Sequence, residues 1–201
     1  MPQSKALVLP AAGPALYIFT HNSPLPVWAE PFLATAERVY NSEAFVVYQL
    51  GAPPEMAPPN PQSIQFGNAV TLLGYEVETA AAGETMPVTL YWRIEEAPEG
   101  EYTPFLHLED AWGHRWSQAD GFAYPSGQWQ PGEVVVQRVA LPVAAGAPPG
   151  SYHVRIGFFN PDTGKRLPVL DENGRYAGDS FLIKTPRFQS ENRLSRCPGH
   201  R

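Results

Sequence analysis

Residues 105–136, FLHLEDAWGHRWSQADGFAYPSGQWQPGEVVV, decide the fold. Phe105 to Asp110 alternates apolar and polar side chains and ends at a turn centred on Gly113. His114 to Gln118 reads as the returning strand. A loop carrying Asp120, Gly121, Pro125 and Gly127 crosses to Trp129. Gln130-Pro131-Gly132-Glu133 then launches a strand over Val134 to Leu141. Two strands, a tight turn and a long aromatic-rich crossover describe an all-β domain whose loops carry any binding surface.

The flanking sequence repeats the pattern. Val70 to Glu78 places Leu73, Tyr75 and Val77 on one face. Pro87 to Ile94 is the cleanest amphipathic strand, with Val88, Leu90 and Trp92 opposite Thr89, Tyr91 and Arg93. Ser151 to Phe159 sets Tyr152, Val154, Ile156 and Phe158 against His153, Arg155 and Gly157. Turns at 160–164 and 171–178 separate short strands at Arg166 to Leu170 and Ser180 to Lys184. Seven or eight short strands predict a mainly β fold over 64–185: a two-sheet antiparallel β-sandwich, immunoglobulin-like or jelly-roll-like.

Composition agrees. The 201 residues include 23 prolines and 17 glycines, which disfavours long helices, and 43% hydrophobic residues suffice for a packed core. The net charge of −6 argues against a general nucleic-acid binder. Within it, Arg187, Arg193, Arg196 and Arg201 face Glu191 alone, so the last fifteen residues carry +3 and residues 1–186 carry −9. Residues 186–201 read as a disordered basic tail, and its Cys197, the single cysteine, has no disulfide partner within the chain. The broken apolar run at the start predicts neither a signal peptide nor a membrane-inserting segment.

Upstream, Ala6 to Leu9 and Ala15 to Phe19 read as strands. Trp28, Phe32, Leu33, Ala36 and Val39 fall near a 3.6-residue period and predict a helix over Pro26 to Tyr40, and Ala44 to Leu50 is a further strand. Residues 1–50 therefore form a small β-β-α-β appendage. Residues 51–63, which include GAPPEMAPPNPQ, are a proline-rich linker.

The segments GNAVTLLGYEVE, VTLYWRIEEAPEGEYTPFLHLEDAWGHRWSQADG, YPSGQWQPGEVV and GSYHVRIGFFNPDTGKRLPV carry a resemblance. In this order they resemble the extracytoplasmic C-terminal β-sandwich region of Chloroflexi-type multi-pass membrane glycosyltransferases, the dolichyl-phosphate-mannose-mannosyltransferase-like proteins. The similarity runs from about residue 64 to residue 184. It implies a non-catalytic accessory module on the outer face of a membrane. That family's catalytic acids lie in its membrane-embedded part, so the resemblance transfers no catalytic residue.

Among the residues themselves, Trp112 and Tyr124, with Asp120 and Gln128, form the candidate ligand-binding set. Flat aromatic rings stack on sugar faces, and short polar groups bond hydroxyls. Trp116 and Trp129 read as core or edge-covering residues as readily as platform residues. His107, Glu109, Asp110, His114 and Asp120 are the nearest thing to a metal or acid–base cluster. The competing reading has Asp110 and Asp120 capping turns, and no motif supports zinc. Asp162, Asp171, Glu172, Asn173 and Asp179 do not match an EF-hand loop. No metal or other cofactor is expected.

The expected function is a non-catalytic accessory module whose partner is a glycan or a neighbouring domain. A purely structural or interaction module is the alternative. A free-standing glycoside hydrolase would need Glu109 or Asp110 to face Asp120 across a cleft.

Overall fold

The computed structural model describes residues 4–121 and 123–186. The strands are β1 Ser4–Leu9, β2 Ala15–Thr20, β3 Glu37–Asn41, β4 Phe45–Leu50, β5 Asn60–Phe66, β6 Val70–Val77 and β7 Thr85–Ile94. They continue as β8 Thr103–Asp110, β9 Arg115–Asp120, β10 Val134–Pro142, β11 Tyr152–Phe159, β12 Val169–Leu170, β13 Tyr176–Gly178 and β14 Phe181–Lys184. Two antiparallel sheets, ordered β1-β10-β7-β6-β5-β12-β13 and β14-β11-β8-β9, pack as a sandwich. A third sheet, β2-β4-β3, lies outside the larger one. Strands β6-β7-β10 face β9-β8-β11-β14 across the core.

Alternation places the core. Met86, Val88, Leu90, Trp92 and Ile94 of β7 point inward and meet Tyr152, Val154, Ile156 and Phe158 of β11 from the opposite sheet. Phe66, Trp92, Phe158 and Trp129 meet edge to face with centroids 5.1–5.9 Å apart. Gln137 carries a polar side chain into this core. Gln137 is fully buried, accepts the Trp92 indole N–H at 2.9 Å, and donates to Ser4 Oγ and the Gly121 carbonyl. A buried amide with its partners in place costs little, whereas an orphaned one would cost about 1–3 kcal/mol.

Three expectations for the N-terminal third need correction. The helix over Pro26 to Tyr40 does not form: a 3₁₀ helix covers Val27–Leu33, and β3 follows it. Ala29 and Leu33 are buried, so the apolar spacing records real contacts. Pro31, however, removes an amide donor from the helix interior, and pairing with β4 satisfies the backbone of 37–41 instead. The order within 1–50 is also not β-β-α-β: it runs β1, β2, a 3₁₀ helix, β3 and β4, and the unit packs on the sandwich. β1 adds to the free edge of β10, with Ala6 opposite Gln137 and Leu9 opposite Val134. Its Leu7 and Leu9 join the second core with Tyr91, Val136 and Leu50, while Ala6 and Val8 reach the first, as suits a strand covered on both faces. Tyr91, on the face of β7 opposite its core residues, is thereby buried too. Finally, the linker 51–63 ends early, because β5 starts at Asn60 and pairs Asn60 with Tyr75 and Pro61 with Gly74. The tail expectation and Cys197 lie outside the described residues, apart from Pro186.

Candidate functional site

Strand direction sorts the loops into two ends. β5, β7, β9 and β11 all terminate at one end. The loops 67–69, 95–102, 121–133 and 160–168 therefore cluster there. The hairpin turn at Trp112 lies at the other end, since β9 runs from Arg115 beside Glu109 to Asp120 beside Phe105.

This separates the four candidate ligand-binding residues. Trp112 is 90% exposed, and its backbone N–H is held by Asp110 Oδ1. From there to Asp120 is roughly 20 Å of strand. Asp120 accepts from Gln118 Nε2 at 3.2 Å and lies 3.8 Å from His107 Nε2. The Tyr124 hydroxyl lies 2.6 Å from the Gln128 carbonyl and 2.7 Å from Glu133 Oε2. Burial and then the Glu133 carboxylate push its pKa upward. Tyr124 thus closes the 121–133 loop rather than offering a platform, and Gln128 sits in the 3₁₀ turn Ser126–Gln128 beside it. Trp129 is core, and half-buried Trp116 donates its indole N–H to Asp110 Oδ2.

The acid–base cluster is likewise divided. Asp110 accepts the N–H groups of Trp112 and His114 and the Trp116 indole, which together hold its carboxyl below the ordinary range. Asp110 caps the turn. His114 packs edge-on against Trp116. His107, Glu109 and Asp120 share the outer face of the four-stranded sheet. Pairing aligns them in ranks: Gln118, His107, Arg155 and Leu182 in one, and Arg115, Glu109, His153 and Lys184 in the next. Burial raises the Glu109 carboxyl, but Arg155 at 3.0 Å and His153 at 3.3 Å outweigh it, and the net shift is downward. His107 is pulled down by burial and by Arg115, against Asp120 and Glu109. Glu109 is engaged by Arg155 and His153, and its rank lies four residues along β8 from that of Asp120 on the same sheet face, so the two do not face each other across a cleft. Asp110 is spent on its turn, so neither hydrolase pairing forms. Among the described residues no group of three or more His, Cys, Asp or Glu could hold a metal ion. Asp171 accepts the N–H groups of Asn173 and Arg175 in a turn of its own, and Asp179 pairs with Arg166.

Two concave sites flank the 160–168 loop. The larger, about 460 Å³, opens at the loop end of the sandwich. Ala69, Pro98, Tyr102 and Leu167 supply apolar surface, and Asn68, Glu96, Glu99, Asn160, Thr163 and Lys165 supply polar groups. The smaller, about 220 Å³, lies on the outer sheet face between Phe105, His107 and Asp120 on one side and Phe159, Gly164 and Arg166 on the other. The larger cleft is firmly framed. Glu95 and Glu96 N–H groups donate to the Ala69 carbonyl, Gly67 N–H donates to Pro168, and Ser126 Oγ ties Tyr102 N–H to the Glu101 carboxylate.

Sequence reading singled out Asp120 and His107, which line the smaller concavity, and did not single out the residues of the larger cleft. Its residues lie in stretches read as plain turns, EEAPEGE and NPDTG. The available signal was parity: these loops and 67–69 all leave the sandwich at the same end.

No family model matches the chain, and no curated protein matches it. Among solved structures, a calcium binding mutant of Bacteroides uniformis β-glucuronidase 2 aligns with 92% of this chain at 13% identity and a TM-score of 0.35. The alignment spans 26% of that chain. A likeness at this level carries no argument about function. Within the described residues no helix is long and apolar enough to cross a membrane.

Proposed function

We propose that the chain is a non-catalytic carbohydrate-binding module and that the loop-end cleft is its site. The observation that carries this is the make-up of the cleft: about 460 Å³, with an apolar wall at Tyr102, Pro98 and Leu167 beside Glu96, Glu99, Thr163 and Lys165. A hydroxyl both donates and accepts, so a wall that offers carboxylate acceptors and ammonium and hydroxyl donors suits a neutral, hydroxylated ligand. The backbone bonds that frame the cleft limit the ordering cost of binding. The accessory role, and a place on the outer face of a membrane glycosyltransferase-like protein, rest on the motif resemblance. A full reading frame that carries membrane spans would support that part.

A calorimetric titration with mannose- and glucose-containing oligosaccharides tests the binding claim. The expected Kd is about micromolar to millimolar, as befits an open site. Tyr102→Ala and Glu99→Gln should each weaken it about tenfold, the equivalent of one lost contact of about 1.4 kcal/mol. Binding that both variants retain would place the site elsewhere.

A specific observation favours the second reading, a protein-interaction module. The outward face of β2-β4-β3 carries Ile18, Val47 and Tyr40 in one rank, with Leu16 opposite Gln49 and Phe45 opposite Thr20 in the ranks on either side. Leu16 and Ile18 are each 64% exposed. Contiguous exposed apolar surface marks contact with another protein more often than chance would leave it. No binding to any glycan would favour this reading.

A further inference from the structure

The 160–168 loop is a thin wall with a cleft on each side. Thr163, Lys165 and Leu167 line the loop-end cleft, while Gly164 and Arg166 line the sheet-face groove. Successive residues thus serve opposite sites, as alternation in an extended segment demands.

The wall is rigid. Asn160 Oδ1 accepts the N–H groups of Asp162 and Thr163. Asn160 N–H donates to the Lys165 carbonyl at 2.7 Å, and Gly164 N–H donates to the Asn160 carbonyl at 2.8 Å. Arg166 bridges to Phe159 through the backbone. Its guanidinium lies 4.8 Å over the Phe105 ring and 3.0 Å from Asp179 Oδ2. Phe105 can lie flat there because Gly157 beneath it has no Cβ, which would fall 2.6 Å from the ring. The guanidinium is thereby fixed from two sides, with donors left over on an exposed edge. Opposite it stand Asp120 and His107.

The crest is low. Gly164 has φ +69° and open space where a Cβ would be, so bare backbone separates the two clefts.

We infer that the two clefts are subsites of one extended site and that its ligand is an oligosaccharide draped across Gly164. One sugar would occupy the Tyr102 cleft, and another the groove between Arg166 and Asp120. The charges in the groove balance: Asp120 and Asp179 offset Arg166 and Arg115, which suits neutral sugars over acidic ones. This inference rests on the carbohydrate reading of the loop-end cleft and adds the length of the ligand. Once one end is bound, the second contact becomes intramolecular, so affinity should rise with chain length until the groove is reached and then level off.

The test is a calorimetric series from monosaccharide to hexasaccharide of the mannose and glucose polymers, and the readout is the ratio of long-chain to short-chain affinity. The expected ratio is tenfold or more in the wild-type chain. It should fall to near one in Arg166→Gln, which strips the groove, and in Gly164→Asn, which raises the crest with a residue that tolerates the left-handed region. Thermal melts establish that each variant folds, and Arg166→Gln alone decides the matter if Gly164→Asn does not. Equal affinity for short and long chains, or a ratio unchanged in Arg166→Gln, would overturn the inference and leave the single-cleft reading standing. Absence of binding at every length would overturn both.

Discussion

Glu109 has the most demanding surroundings of any carboxylate on the outer sheet face. It is 7% exposed, yet it is charged because Arg155 and His153 reach it from β11. Its pKa is depressed, so the stabilisation it supplies is present above the ordinary carboxylate range and is lost as pH falls through the folded value. Glu109→Gln should therefore cost about 1–3 kcal/mol at neutral pH, since it leaves a half-buried guanidinium without its counter-charge. In denaturant titrations the gap between the two proteins should begin to narrow near about pH 4, where an unpaired carboxyl protonates, and close only below the depressed folded value. A penalty that stays constant down to acid pH would mean that the lost interaction is packing rather than charge. None of this pairing was legible beforehand. The sequence placed Glu109 and Asp120 in a possible cluster, but only strand register shows that Arg155 sits one strand away and Asp120 two ranks from Glu109, beyond His107.

At the scale of elements, alternation was legible in β11, where one face alone is buried and a one-residue slip would expose Val154. It misled over 26–40. There Ala29 and Leu33 keep a helical spacing through a 3₁₀ turn, and β3 is stabilised by distant pairing that no local pattern reports. β1 was read as a strand, but its pairing was not legible, because its partner lies some 130 residues away on β10, as the Ser4 to Val139 pairing indicates. The proline-rich segment is also less free than its composition suggests. Pro58 lies across Gly74, where an added Cβ would fall 2.5 Å from the proline ring. Gly74→Ala should push the segment off β6 and destabilise the fold by about 1–3 kcal/mol, the usual cost of overpacking. An unchanged denaturation midpoint would show that residues 58–60 do not rest on that strand.

At the scale of the whole molecule, three sheets divide the work. The larger sandwich sheet is covered on both sides, by the four-stranded sheet within and by the β2-β4-β3 unit without. The two surfaces left open are the back of the small sheet and the polar outer face of β14-β11-β8-β9, and the second adjoins the loop end where both clefts lie. The loop end became visible only once pairing had given every strand a direction, which is why the sequence did not single out Tyr102. The most direct test of the central claim is an amide-resolved NMR titration of the whole chain with a mannose or glucose oligosaccharide. Binding at the proposed site predicts shifts confined to residues 67–69, 95–102 and 160–168, with the groove residues His107 and Asp120 following as the ligand lengthens. Shifts centred on the Trp112 hairpin, or none at saturating ligand, would contradict it.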